Sequence, residues 1–169
     1  MIHLYHGDGK GKTTAACGLA VRATGSGMCV LFVQFLKDGT SSEIKALSSL
    51  PGITVLRPEL YFGWFRDMTE EQKAELKKCY SSMIRMIADS AGDYDMIVLD
   101  EAALAYHYGL FDSADFNDFL EEERNSTEIV ITGRHPAPEL RELADYITEM
   151  KKEKHPFDSG VAARKGIEY

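Results

Sequence analysis

The sequence is poor in cysteine, and the cysteines it has are badly placed for cross-linking. Cys17, Cys29 and Cys79 are odd in number and scattered, with no Cys-x-x-Cys pair, so a disulfide framework and a zinc site are both disfavoured. They read as reduced thiols of the core or of helices. The five histidines, His3, His6, His107, His135 and His155, lack the His-x-x-x-His spacing of a metal site, and no nucleophile–base pattern accompanies them. No apolar run approaches the ~20 residues of a membrane helix. The first residues read as a strand and a loop rather than a charged-then-apolar leader, so a cytoplasmic location is expected. Basic residues are in deficit, 19 Lys and Arg against 27 Asp and Glu, which leaves a net charge of −8. That balance disfavours a nucleic-acid partner, because phosphate-backbone binding needs clustered Lys and Arg. Repeats and low-complexity segments are missing as well. A chain of 169 residues with 44% hydrophobic content remains, enough for one domain over residues 1–169 with its own core.

What is present is concentrated near the start. Ile2-His3-Leu4-Tyr5 is a short apolar strand, and Thr14 to Ala23 is a helical run. Between them lies His6-Gly7-Asp8-Gly9-Lys10-Gly11-Lys12-Thr13-Thr14. A glycine-rich turn between strand and helix lets successive backbone N–H groups curl around an anion, and the helix N-terminus adds its positive end. Lys12 is placed to reach the outer phosphates of a nucleotide and Thr13 to offer its hydroxyl to Mg²⁺. The leading glycine of the common phosphate-binding loop is absent, since His6 stands there, and Gly9-Lys10 sits inside the loop. The motif indicates a nucleoside triphosphate without specifying the chemistry.

Strands and helices alternate along the rest of the chain, which predicts an α/β fold: a three-layer, RecA-like P-loop NTPase with a mostly parallel central sheet. Met28 to Phe35 has the continuous apolar character of a buried parallel strand, and Lys37-Asp38-Gly39-Thr40 follows as a loop at the ligand-binding edge. A short helix over about Ser42 to Leu50 and a strand from Ile53 to Leu56 come next. Thr69-Glu70-Glu71-Gln72 has the spacing of a capping box and opens a long helix with Leu76, Tyr80, Met83, Ile87 and Ala91 on one face. Met96-Ile97-Val98-Leu99-Asp100-Glu101 delivers two carboxylates to a strand end. Such acids hold the metal in P-loop proteins, or else one of them merely caps a helix. A helix capped by Asp112, a strand from Glu128 to Thr132, a short helix from Pro138 and a strand over Asp145 to Met150 complete the pattern. Arg134 either faces the phosphates or pairs with an acid. On composition alone, the aromatic stretch Tyr61-Phe62-Gly63-Trp64-Phe65 reads as a loop tucking its rings inward, and the tail after Lys151 as a frayed terminus.

Four stretches together resemble the P-loop ATP:corrinoid adenosyltransferases, also called cob(I)alamin adenosyltransferases. Gly7 to Thr14 is similar to that family's Gly-Asn-Gly-Lys-Gly-Lys-Thr-Thr, and Val33-Gln34-Phe35-Leu36-Lys37 to its Val-Gln-Phe-Ile-Lys. Val98-Leu99-Asp100-Glu101 matches its acidic strand end. Ile131-Thr132-Gly133-Arg134, Lys154 to Gly160 and Lys165 to Tyr169 resemble its C-terminal signature. The resemblance implies transfer of the 5′-deoxyadenosyl group of ATP to cobalt(I) of a corrinoid, with triphosphate leaving from a nucleotide that lies reversed in the loop. It implies a nucleotide site of Gly7, Asp8, Gly9, Lys10, Gly11, Lys12, Thr13, Thr14 and Arg22. Lys12, Thr13 and Glu101 are the implied catalytic set, with Thr13 and Glu101 on Mg²⁺ and Asp100 behind them. Phe62 and Trp64 are similar to the aromatic pair that lies against the corrin ring and displaces its lower ligand. The tail becomes an ordered wall of the site. A reductant protein such as a flavodoxin and a homodimer are also implied.

Two departures from the family pattern carry expectations. Asp8 stands where the family has Asn, and an ionised Asp accepts hydrogen bonds but cannot donate one. The sequence opens directly on its first strand, whereas many members carry an N-terminal extension over the corrinoid, so weaker closure is expected. Rival readings are an ordinary P-loop ATPase or kinase, and a non-catalytic nucleotide- or corrinoid-binding relative.

Overall fold

The buried apolar runs become six strands: β1 (Ile2–His6), β2 (Val30–Gln34), β3 (Ile53–Leu56), β4 (Met96–Asp100), β5 (Glu128–Gly133) and β6 (Tyr146–Glu149). The computed structural model describes residues 1–168; Tyr169, the last residue of the C-terminal signature, lies outside them. The strands form one sheet in the order β3-β2-β4-β5-β1-β6, and every pairing is parallel. All strand C-termini therefore meet at one edge, with β5 between the loop-bearing β1 and the acid-bearing β4.

Helices cover both faces, as a sheet that is apolar on both sides requires. α1 (Lys12–Gly25) and α2 (Ser42–Leu47) lie on one face, where Ala16, Ala20, Ile44 and Leu47 pack on Val30, Phe32, Met96, Val98 and Val130. On the other, Leu31, Val33, Ile97, Leu99, Ile129 and Ile131 meet α3 (Glu70–Ser90), α5 (Ser113–Glu123) and α6 (Pro138–Leu143). Thr69 caps α3 with the full capping box, its hydroxyl accepting from the Gln72 N–H while the Gln72 side chain accepts from the Thr69 N–H. Asp112 caps α5 by accepting from Ala114 and Asp115. Of the α3 stripe, Leu76, Tyr80, Met83, Ile87 and Ala91 are all buried.

Three features depart from the sequence expectation. An additional helix, α4 (Ala102–His107), follows the acidic strand directly; its N-cap is Glu101, which makes no side-chain cap and so leaves no local signal. Cys29 is exposed just ahead of β2 rather than in core or helix, because that strand begins at Val30. The tail departs only from the composition reading: as the resemblance implies, it is folded, with a 3₁₀ turn over Pro156–Ser159 and an Arg164–Glu168 ion pair at 3.0 Å. Among the described residues no helix is long and apolar enough to cross a membrane.

Candidate active site

Side-chain alternation brings the site together. Val30, Phe32 and then Gln34 in β2, Met96, Val98 and then Asp100 in β4, and Val130 and then Thr132 in β5 all point to the α1 face. Each strand thus ends in a polar residue on the face where the helix of the phosphate-binding loop begins. Asp100 is fully buried and takes four donors. Its Oδ1 accepts from the hydroxyls of Thr13 at 2.8 Å and Thr132 at 2.7 Å. Its Oδ2 accepts from Lys37 Nζ at 2.8 Å and Gln34 Nε2 at 3.2 Å. These contacts saturate the carboxylate and fix the hydroxyl of Thr13, which also accepts from Lys37 at 3.2 Å. Lys37 is delivered by a turn at the end of β2: Leu36 adopts a φ of 55°, and its N–H is held by the hydroxyl of the buried Tyr80 at 2.9 Å. Burial opposes the charge on Lys37, but the Asp100 carboxylate outweighs it and holds the ammonium pKa above its ordinary value.

Glu101 breaks the alternation. Its φ of 61° places it in the left-handed region, which costs a non-glycine residue of the order of 1 kcal/mol and is characteristic of functional sites. Its N–H donates to Thr132 Oγ1 at 3.0 Å. Asp100 therefore stays in the dry network while Glu101 lines the cavity. Burial, and then the neighbouring Asp100, push the Glu101 carboxyl pKa up.

The loop is locked from the side by β6. The Gly9 N–H donates to the Met150 carbonyl at 2.6 Å, and the Met150 N–H to the His6 carbonyl at 2.7 Å. A Cβ on Gly7 or Gly9 would stand 2.5 Å from that Met150 oxygen, so only glycine fits at either position. Lys12 is buried and folds back onto the loop, donating to the carbonyls of Gly7 at 2.7 Å and Gly9 at 2.9 Å. Burial lowers its pKa. His6, also buried, contacts Arg141 at 3.2 Å, and burial followed by that guanidinium lowers its pKa.

Above this lies a cavity of about 710 Å³ lined by the loop from Asp8 to Thr14, together with Lys37, Glu101 and Arg134 and by His155, Gly166 and Glu168 of the tail. The expected loop residues and Glu101 are thus brought together, and the tail forms a wall. Arg134 faces the cavity and, among the described residues, makes no ion pair with an acid. Arg22 is not brought there: it is exposed in the last turn of α1, about 15 Å of helix from Lys12. Phe62 is half-buried against the core, whereas Trp64 is 74% exposed, and neither lines this cavity. Lys37, Gln34 and Thr132 have no assigned part in the sequence reading. The signal for them is positional, since polar residues at the C-terminal ends of buried parallel strands face the ligand edge.

The donors suit Mg²⁺. The Thr13 hydroxyl and the Glu101 carboxyl offer hard oxygen donors of the kind Mg²⁺ takes, and among the described residues no cluster of three or more His, Cys, Asp or Glu forms a dedicated cage. That leaves room for the waters and phosphates that Mg²⁺ retains. Among the described residues the buried Gln34 Oε1 has no hydrogen-bond partner, and its amide orientation is set by the Asp100 contact, so it offers an acceptor for an ordered water.

A model of the ATP:corrinoid adenosyltransferase BtuR/CobO/CobP family matches residues 1–169. The chain is 35% identical over 169 residues to the corrinoid adenosyltransferase of Escherichia coli K12, covering all of this chain and 85% of that one. It is 34% identical to the corrinoid adenosyltransferase CobA of Salmonella typhimurium, again over all of this chain and 85% of the relative. Among solved structures, the flagellar accessory protein FlaH of Methanocaldococcus jannaschii superposes with a TM-score of 0.57 over 88% of this chain and 69% of that chain. At 16% identity that is a likeness of fold alone.

Proposed function

The chain belongs to the ATP:corrinoid adenosyltransferase family and catalyses ATP-dependent adenosyl transfer to a corrinoid, and from that premise we propose how its residues divide the work. The electron pair of cobalt(I) attacks the ribose 5′ carbon; a cobalt–carbon bond forms, the C5′–O bond breaks, and the departing triphosphate takes the bonding electrons. Charge therefore develops on the leaving polyanion. The observation that carries this reading is the cavity that joins the loop N–H groups, Lys10, Lys12 and Arg134 to the Thr13–Glu101 pair at one sheet edge. Lys12 and Lys10 bind and stabilise the polyanion as it leaves. Thr13 and Glu101 hold Mg²⁺, which supplies further charge neutralisation when bound. Asp100 positions Thr13 without touching substrate. No general base is needed, because cobalt(I) is itself the nucleophile; the residues instead align it with the 5′ carbon.

Phe62 and Trp64 take the corrin ring, Phe62 anchored against the core and Trp64 offering an exposed face. A domain spanning residues 1–169 carries both sites, with Gly7 to Thr14 contacting the nucleotide. The chain works in the cytoplasm as a homodimer and receives electrons from a reductant protein such as a flavodoxin. An anaerobic assay with ATP, Mg²⁺ and chemically reduced cobalamin tests the reaction. A light-sensitive cobalt–carbon product with stoichiometric triphosphate is expected. Orthophosphate or ADP without alkylation would instead establish an ATPase or kinase, and binding without turnover a non-catalytic relative.

A further inference from the structure

We propose that the Lys37 ammonium is the resident cation of the nucleotide pocket, held between Thr13 and Asp100 until a divalent metal takes that seat, so that metal loading requires Lys37 to withdraw. The inference rests on the reading above that Thr13 and Glu101 seat the metal. Lys37 Nζ stands 2.8 Å from Asp100 Oδ2, 3.2 Å from Thr13 Oγ1 and 3.7 Å from Glu43 Oε1. Asp100 is fully buried, and Glu101, next in sequence, faces the cavity. Two adjacent carboxylates in a partly dry site need a counter-charge, and Lys37 supplies one from within the chain. A divalent metal held by Thr13 Oγ1 would share that oxygen with the Lys37 ammonium, and the repulsion between the two cations in a partly dry site would favour withdrawal of the lysine.

Lys37 also has somewhere to go. It lines a neighbouring cavity of about 440 Å³ whose other residues include Asp38, Glu59 and Tyr61. It is common to both cavities. The backbone need not move, because the Leu36 N–H is anchored on Tyr80 and the flexible four-carbon stem can swing alone.

The test is Mn²⁺ binding without nucleotide, read by the free-Mn²⁺ resonance at low salt. An internal competitor weakens apparent affinity by the fraction of time it leaves the seat free. Lys37→Met should therefore bind Mn²⁺ on the order of tenfold more tightly than the unaltered chain. Lys45→Met, which removes an exposed lysine of α2, should change it less than about twofold, controlling for net charge. Mg²⁺ alone should also raise the melting temperature of the Lys37 variant more than that of the unaltered chain. Unchanged or weaker Mn²⁺ binding in Lys37→Met, or an equal gain in Lys45→Met, would overturn the proposal. Adding Glu101→Gln to Lys37→Met separates the two readings. Loss of the gain supports both, whereas tight binding that persists overturns the metal seat itself and the proposal with it. Lys37→Gln, which keeps a donor for Asp100 without the charge, serves for the same titration if the Met variant does not fold.

Discussion

Replacing Asp100 by Asn keeps the shape of the central side chain and removes its charge and one of its acceptors. The carboxylate takes two hydroxyls on one oxygen and an ammonium and an amide on the other. In Asn, one of the two oxygens becomes an NH₂ donor. Turned toward Lys37 and Gln34, that NH₂ meets two donors, one of them charged. Turned toward Thr13 and Thr132, it takes away the acceptor of both hydroxyls, whose oxygens already accept from Lys37 and from the Glu101 N–H. The second orientation is the less costly. It still exchanges the ion pair with Lys37 for an ammonium–amide bond and leaves both hydroxyls without the acceptor they donate to. A charge-assisted bond contributes about 1.5–3 kcal/mol and a neutral one about 1. Lys37 is 23% exposed, so water recovers part of its loss. The net destabilisation is about 2–4 kcal/mol, which for a chain of this size lowers the melting temperature by roughly 5–15 °C. Urea titration should give a lower midpoint with an unchanged slope. Affinity for Mg²⁺ with a non-hydrolysable ATP analogue should fall in parallel, because the Thr13 hydroxyl loses its orientation. A midpoint shift worth less than about 0.5 kcal/mol would refute the reasoning, since the four contacts would then contribute no more than surface pairs do.

Further outcomes follow from the same geometry. Gly9→Ala places a methyl group 2.5 Å from the Met150 carbonyl oxygen and within 2.9 Å of the Met150 and Lys151 carbonyl carbons, and should weaken ATP-analogue binding at least about tenfold in calorimetry. Gly18→Ala, mid-helix in α1 with nothing within 4 Å of the new Cβ, should instead stabilise by about 0.5–1 kcal/mol; loss of stability there would contradict the open surroundings. Trp64→Ala should leave the melting temperature nearly unchanged, because the ring is 74% exposed, yet slow turnover from cobalt(II) more than turnover from pre-reduced cobalt(I). Equal losses in the two assays would count against a role in stripping the lower ligand. The pKa of His6 is lowered in the folded state, so the folded chain prefers the neutral ring. Its contribution to stability is complete above the unfolded value of about 6.5 and is lost as pH falls below it toward the folded value. Melting temperatures measured between pH 7.5 and 5.5 should therefore fall more steeply for the natural chain than for His6→Gln, and parallel slopes would exclude the effect.

Local signals in the sequence were enough wherever the deciding interaction is itself local. The glycine-rich turn into α1, the α3 capping box and the Asp112 cap each lie within a few residues, and each forms as its spacing implies. The buried strands were legible because both faces are covered, which removes the alternation that would otherwise be needed. α4 was not legible: it is six residues long, follows the acidic strand without a spacer, and has no side-chain cap. The aromatic stretch divides between the composition reading, rings tucked inward, and the exposed aromatic pair that the resemblance implies. Phe62 packs against the core while Trp64 stays exposed, a difference set by the path of the loop and invisible in residue type. The tail carries no periodicity; ion pairs of Lys152 with Asp158 at 3.1 Å and of Arg164 with Glu168 at 3.0 Å tie it to itself, and it leaves from β6, an edge strand on β1 that is followed by Met150 against Gly7 and Gly9.

The centre of the site depends on separations of 87, 66, 63 and 32 residues between Asp100 and Thr13, Gln34, Lys37 and Thr132. No local pattern spans such distances, yet parallel register makes them nearly obligatory. Gln34 pairs with Asp100 across β2 and β4, and Leu99 with Ile131 across β4 and β5, so the next residues, Asp100 and Thr132, come side by side on the α1 face. Tyr5 pairs with Thr132, which sets the loop one strand away. The order Asp then Glu follows from the same register. The last residue of β4 obeys the period of two and enters the dry network, whereas the residue after it is released by its φ of 61° and turns to the cavity. A slip of one residue between β4 and β5 would send Asp100 to the apolar α3 face beside Ile131 and Leu76, away from Thr13, Thr132, Gln34 and Lys37. The apolar residues that hold the register therefore also decide which of the two acids enters the dry network and which faces the cavity.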